Sequence, residues 1–317
     1  MKQVMLASGL ICYRCLMAKT KKGAPLGAGL IILSSVFYAS YGIWTKLMGN
    51  FFGGYTASAW RSVLVLAMLA PIAVVYRQFE PVAWRRNWKY LVGLLVGSLF
   101  VWGPLYYAIL HAGIGISLAI AYAFIVIGMF LFGRLMAGER FTRDKWLATS
   151  LGLTGVVLVF APTMAGLGWL ALVAAMVSGL STAFNMVVTK QIPYNATQST
   201  IALWVASVIA NFLMVPLVGE PVPATVWHVE WLYLIVFAAA SVAASWLFVK
   251  GVKLVDAGAA GILGLLEIVF GVLFGALFFA ERPGGIVLVG VALIMAAAAI
   301  PYIKDYNAQR GTLAEGV

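Results

Sequence analysis

The stretch LLEIVFG, Leu265 to Gly271, sets the carboxylate of Glu267 inside an apolar run from Ala257 to Ala280 that holds no other ionisable residue. Such a group can line a substrate path, meeting a ligand ammonium or carrying a proton; protonated, it can instead hydrogen-bond a neighbouring helix. Both readings stand. Arg61 is a second ionisable side chain inside an apolar run. It could hold a ligand carboxylate or counter Glu267, with snorkelling to the interface as the plain alternative. Aromatic residues form a second constellation. Phe37, Tyr41 and Trp44 fall at i, i+4 and i+7, on one helical face, and Trp102 and Tyr106 are four apart. With Tyr122 and Trp246 they could wall a cavity able to stack a flat or cationic group, although each taken singly also serves as packing. Asn185, Ser241 and Ser245 offer hydrogen bonds to a ligand or to another helix.

The elements that must position these groups are set by composition. The 317 residues are 63% hydrophobic and only 10% charged, with a mean hydropathy of +1.01. A soluble domain carries about 25% charged residues, so this chain has too few charges to coat a soluble surface. An all-α polytopic membrane protein is expected. Crossing a hydrocarbon core takes roughly 20 apolar residues at about 1.5 Å of rise each. Ten transmembrane helices fit, over 26–48, 55–76, 90–110, 115–136, 146–161, 167–189, 198–218, 231–249, 257–280 and 285–303. Glu267 then lies about 15 Å into its helix, near mid-depth, and Arg61 about 9 Å from the opposite end of its own.

Basic residues orient the spans, because short loops rich in Lys and Arg stay on the cytoplasmic side. The amino-terminal segment carries Lys2, Arg14, Lys19, Lys21 and Lys22. Alternate connections carry Arg77, Arg85, Arg86 and Lys89, then Arg134, Arg140, Arg143 and Lys145, then Lys190, then Lys250 and Lys253, and the tail carries Lys304 and Arg310. Of the 21 Lys and Arg, Lys46, Arg61 and Arg282 are left for the other side. Both termini are therefore expected in the cytoplasm. The net charge of +11 reads as topology and anionic-lipid contact, and no nucleic-acid partner is expected.

Other function classes find little support. No GxxxxGK[ST] loop points to a nucleotide-driven pump. His111 and His228 sit in no metal-spaced motif, so no enzyme, metal or cofactor is expected. No repeated filter sequence points to a channel. Cys12 and Cys15 form a single C-x-x-C, half of what a zinc site needs, and read as two reduced thiols in a leader. That leader shows no convincing signal peptide, and Met17 is an alternative start.

Internal repetition is legible by eye. Thr45–Lys46 recurs as Thr189–Lys190, Trp60 as Trp204, Trp102 as Trp246, and Ala112–Gly113 as Ala257–Gly258. AGERF, with Glu139 and Arg140, recurs as AERP, with Glu281 and Arg282. The offset is roughly 144 residues, and five helices per copy is an odd number, so the second copy enters the membrane upside down. Two inverted five-helix repeats suit alternating access, since the halves can exchange conformations. Gly93 with Gly97, and Gly271 with Gly275, have the GxxxG spacing of close helix contacts.

Over residues 26–303 the chain resembles the drug/metabolite transporter superfamily, in particular its EamA-domain members of ten helices. The resemblance rests on GER at Gly138 to Arg140, on LLEIVFG followed by AER, and on WTKL at the close of the first span. Family members commonly carry a proline after the membrane glutamate and another in the matching part of the fourth span; here Ile268 follows Glu267 and AYAFIVIG has none. Aromatic content and length are most similar to YddG-like amino-acid exporters of the bacterial inner membrane. The resemblance implies a cytoplasmic extension over 1–25, repeats over 26–162 and 166–303, and a cytoplasmic tail over 304–317. It implies a secondary carrier in the inner membrane that exports aromatic or neutral amino acids, with other metabolites, drugs or nucleotide-sugar-like substrates as the alternative. A non-transporting membrane scaffold or enzyme is the competing class. The expected substrate-binding set is Glu267, Tyr41, Trp44, Arg61, Trp102, Tyr106, Tyr122, Asn185, Ser245 and Trp246. The expected partners are a small-molecule substrate and the lipid bilayer; oligomeric state is left open, a monomer being compatible with the sequence.

Overall fold

The computed structural model describes residues 23–49, 51–78, 84–112, 114–139, 142–163, 168–221 and 228–314. Cys12, Cys15, Met17, Arg140 and Trp227 lie outside the described residues, as do the side chains of Trp84, Arg85, Arg86, Lys304 and Arg310. The described residues are helical, joined by short turns, with no strand among them. In order, the helices are α1 (23–39), α2 (Tyr41–Met48), α3 (Gly54–Val75), α4 (Trp84–Leu99), α5 (Trp102–Ala112), α6 (Ile114–Ala137) and α7 (Arg143–Phe160). There follow α8 (Trp169–Gln191), α9 (Ala196–Val218), α10 (Val229–Val252), α11 (Ala257–Gly264), α12 (Leu266–Phe279) and α13 (Gly285–Ala314). A chain this apolar must satisfy its backbone polar groups within each segment, and helices do so without edges.

Among the described residues, eight helical stretches are long and apolar enough to cross a membrane. α7, which opens on Arg143, Asp144 and Lys145, and the shorter apolar stretch Gly285–Ile300 of α13 fall outside that set. Bulky apolar side chains such as Val75, Leu135, Trp169, Leu217 and Phe278 stand on the outer surface. This surface is far too apolar for water and is what a bilayer covers, so the protein is a multi-pass membrane protein.

Three spans expected to be continuous are broken. The first turns at Ser40, whose hydroxyl donates to Phe37 O at 2.6 Å and accepts from Trp44 Nε1 at 3.3 Å. The third breaks at Phe100 and Val101: Pro104 supplies no N–H to the carbonyl four residues back. The next carbonyl, Val101 O, accepts the Ser178 hydroxyl at 2.7 Å. The ninth tightens at Leu265 through short-range bonds, Leu265 N to Ile262 O at 3.2 Å and Ile268 N to Leu265 O at 3.0 Å. No proline marks that last break; Gly264, the last residue of α11, lies directly before it and the polar Glu267 two residues after.

α3 and α9 pack against each other and are tied reciprocally at both ends. Glu220, just past α9, accepts the N–H groups of Tyr55 at 3.0 Å and Thr56 at 2.8 Å at the start of α3. Gln78, just past α3, accepts from Asn195 Nδ2 at 2.7 Å and from the Thr197 hydroxyl at the start of α9. Between these ends the Ser62 and Ser207 hydroxyls meet at 3.0 Å. α6 runs along α8, and α7 along α13. Both pairs depend on missing side chains: a Cβ on Gly179 would fall 2.3 Å from Ala121 O, and Gly155 and Gly290 each face the other's carbonyl. Of the glycines expected at helix contacts, Gly97 packs on Asn185 and Gly275 on Glu281, whereas Gly271 faces open space.

Candidate functional site

A cavity of about 160 Å³ opens among the helices, beside two of the breaks. Tyr41, the first residue of α2, and Val101 with Trp102, at the start of α5, line it directly after their turns. A broken helix also offers backbone groups at mid-depth, which a regular helix keeps bonded to itself. α3 contributes Arg61, α8 contributes Thr182 and Asn185, α9 contributes Trp204, and α10 contributes Ser245 and Phe248.

Arg61 dominates the electrostatics. It is only 3% exposed, and its Nε has no hydrogen-bond partner among the described residues. Four aromatic rings surround the guanidinium, with centroids at 4.5 Å for Phe237, 4.8 Å for Trp102, 5.2 Å for Tyr41 and 5.7 Å for Trp204. These faces are attracted to a cation and offset part of the cost of burying it. No described carboxylate forms an ion pair with it.

Polar groups around the cavity hold one another in place. Trp204 Nε1 donates to the Ser245 hydroxyl at 2.9 Å, and that hydroxyl donates to Ser241 O at 2.6 Å. Asn185 Nδ2 donates to the Ser98 hydroxyl at 3.1 Å, while its Oδ1 presses on Gly97 without a partner. The Tyr41 hydroxyl is likewise buried; its polar neighbour is Ser241, whose hydroxyl donates to Phe237 O at 2.8 Å and can still accept.

Of the ten residues expected at a site, the cavity brings together Tyr41, Arg61, Trp102, Asn185 and Ser245. The other five do not line it. Glu267 is half-buried in the first turn of α12, within side-chain reach of the Tyr122 hydroxyl. A carboxylate there also meets the positive end of a helix dipole, because α12 starts one residue earlier. Trp44 packs in a cluster with Trp231 and Phe237. Tyr106 lies against Gly54. Trp246 donates to the Thr197 hydroxyl at 3.0 Å and carries Lys250 Nζ 4.6 Å above its ring. Arg61 and Glu267 do not pair, so the two intramembrane charges stand apart. The cavity also uses Tyr38, Trp204, Ser98 and Thr182, which were not in the expected set. Tyr38 sits three residues before Tyr41 on the same helical stripe, and Trp204 is the repeat partner of Trp60, so weak signals existed for both.

Among the described residues three ion pairs link one half of the chain to the other: Lys145 donates to Asp256 at 2.6 Å, and the other two join repeat counterparts. Lys46, at the end of α2, donates to Glu281, with side chains 52% and 53% exposed. Lys190, at the end of α8, donates to Glu139 at 2.5 Å, with side chains only 15% and 13% exposed. Glu139 also accepts Ala257 N at 2.9 and 2.8 Å, and Lys190 donates to Val255 O at 2.7 Å. Lys46 and Lys190 are repeat counterparts, as are Glu139 and Glu281. Among the described residues, no group of three or more His, Cys, Asp or Glu is placed to hold a metal.

This is an all-helical, multi-pass membrane protein with a small polar and aromatic cavity. Its sequence matches the EamA-like transporter family twice, over residues 25–161 and 169–302, and the chain belongs to that family. It is 30% identical over 178 residues to a riboflavin transporter of Rhizobium johnstonii, a match covering 55% of this chain and 56% of that one. The chain thus spans about half the length of that relative. It is 26% identical over 299 residues to an uncharacterized transporter of Archaeoglobus fulgidus, covering 92% of this chain and 99% of that one. A solved crystal structure with 18% identity has the same fold, with a TM-score of 0.72 over 89% of this chain and 98% of the other.

Proposed function

We propose that the protein is a secondary carrier that moves a small metabolite by alternating access around the Arg61 cavity. The observation that carries this reading is the cavity itself: a buried, unpaired guanidinium among aromatic rings, beside helices broken at Ser40 and Val101. A buried charge without a partner inside a membrane protein marks a substrate path by default. Ten helices in two inverted repeats, over 26–162 and 166–303, account for the paired match to one family and for the reciprocal ties between α3 and α9. The substrate class we favour is an aromatic or neutral amino acid, exported across the inner membrane by a protein with both termini in the cytoplasm, as in YddG-like exporters. The aromatic lining supports it.

The repeat supplies a mechanism. Lys190–Glu139 seals one end of the bundle and Lys46–Glu281 the other, and exchanging the conformations of the halves exchanges the buried and exposed pairs. Their unequal burial is what such a carrier shows when halted in one of its two states. A second reading is favoured by the name of the Rhizobium relative: a flat heterocycle such as riboflavin, stacked on Trp102 and Trp204.

The test is exchange of labelled amino acids, aromatic and neutral, across proteoliposomes containing the purified protein. Saturable exchange that unlabelled amino acids compete away supports the favoured substrate class. Folded protein that exchanges riboflavin alone moves the reading to flat heterocycles, and folded protein that exchanges no metabolite refutes the carrier.

A further inference from the structure

We infer that the cavity recognises its substrate by a carboxylate bound at Arg61, and that it accepts aromatic monocarboxylates carrying no amino group. This rests on the carrier reading only in taking the cavity as the substrate site. It makes a distinction that amino-acid export does not.

The groups lining the cavity are unbalanced in charge. Arg61 is cationic, and every other polar residue there, Ser98, Thr182, Asn185, Thr189, Ser207 and Ser245 among them, is a neutral hydroxyl or amide. Among the described residues no aspartate or glutamate lines it; Glu267 is turned to Tyr122 instead. Lys46 and Lys190 are occupied by Glu281 and Glu139. A single buried guanidinium, short of a partner at Nε, is completed by one carboxylate, whose two oxygens match its planar fork. A doubly charged phosphate would want a second cation, and the cavity supplies none. The rings of Trp102, Tyr41 and Trp204 lie beside that carboxylate position and present apolar surface to a flat body.

An ammonium group gains nothing comparable. The nearest ring faces are directed at Arg61, and a second cation close to the guanidinium is repelled in a medium of low dielectric. The carboxylate is therefore required, and the amine is tolerated where it can reach a hydroxyl or the aqueous mouth.

The experiment compares three probes that share one phenylethyl body on the purified full-length protein: phenylalanine, 3-phenylpropionate and phenethylamine. Binding is read by the shift in thermal midpoint and by quenching of tryptophan fluorescence, and transport by exchange in proteoliposomes. Phenylpropionate and phenylalanine are expected to bind and phenethylamine to bind at least about tenfold more weakly, the loss of a charge-assisted pair being worth that much or more. Arg61→Gln should remove the preference for the two carboxylates, and Arg61→Lys should restore part of it. If Arg61→Gln does not fold, the ranking of probes on the natural chain decides alone. Phenethylamine binding as well as phenylpropionate, or phenylpropionate failing to bind, overturns the inference. Carboxylate binding without exchange of any probe or of riboflavin leaves this site standing and removes the carrier; phenylalanine exchange without phenylpropionate binding does the reverse.

Discussion

Replacing Glu139 by Gln removes a charge from the better buried of the two ion pairs and should unseal that end of the bundle. The carboxylate there holds Lys190 at 2.5 Å and two contacts to Ala257 N at 2.9 and 2.8 Å, with both side chains largely shielded from water. A hydrogen bond to a charged group contributes about 1.5 to 3 kcal/mol, and a buried ion left alone costs more than the bond it loses. Lys190 keeps one partner, Val255 O at 2.7 Å, and the amide oxygen of Gln can still accept one bond, so we take about 2 to 3 kcal/mol against the sealed state. At 1.36 kcal/mol per factor of ten, that shifts the equilibrium by about 30-fold to about 160-fold. Glu281→Gln breaks a pair more than half exposed, and such pairs contribute about 0 to 1 kcal/mol. The assay uses a chain with Cys12 and Cys15 replaced by Ser and one reporter, Thr182→Cys, in the cavity wall. Labelling by a membrane-impermeant maleimide is then measured from each face of oriented vesicles. Glu139→Gln should raise labelling from the face that carries Lys190 by at least about tenfold, and Glu281→Gln should change labelling by about threefold or less. Equal effects, or a larger effect of Glu281→Gln, would refute the reasoning that burial decides which pair is the seal.

Glu267→Gln should leave folded yield and carboxylate binding at Arg61 intact while abolishing transport or its pH dependence; normal transport by this variant would return Glu267 to a structural role beside Tyr122. Gly155→Ala should lower the thermal midpoint, because its Cβ would fall 2.7 Å from Gly290 O and overpacking costs about 1 to 3 kcal/mol, whereas Gly271→Ala, which meets open space, should be neutral. An unchanged midpoint for Gly155→Ala would mean that α7 and α13 can part without penalty. Glu220→Gln should destabilise the protein by about 1 kcal/mol through the weakened cap on Tyr55 and Thr56, measurable as a lower thermal midpoint, and no change would show that water replaces the cap.

Much of this protein was legible in the sequence because a bilayer imposes a simple rule: long apolar stretches become helices that close their own hydrogen bonds. The helical class, the approximate limits of the spans and the repeated Lys and Glu positions follow from composition and spacing alone. Five of the ten residues expected from the sequence, Tyr41, Arg61, Trp102, Asn185 and Ser245, line the candidate cavity, being polar or aromatic groups placed well inside apolar spans. Tertiary structure decided the rest. Depth along a helix is readable from residue number, but facing is not, since a side chain turned to a cavity and one turned to a neighbour have the same rise. Glu267 therefore went to Tyr122, Trp246 to Thr197 and Trp44 to the cluster around Trp231, while Tyr38 and Trp204 came to the cavity instead. The break at Leu265 left only a weak mark, Gly264, because a glycine lowers helix propensity without forbidding the helix, while α11 packs on α6 and α12 on α13. The two ion pairs show the same division: their matching residues are written in the chain, and only the packing of α6 and α11 around Glu139 made one of them the buried pair.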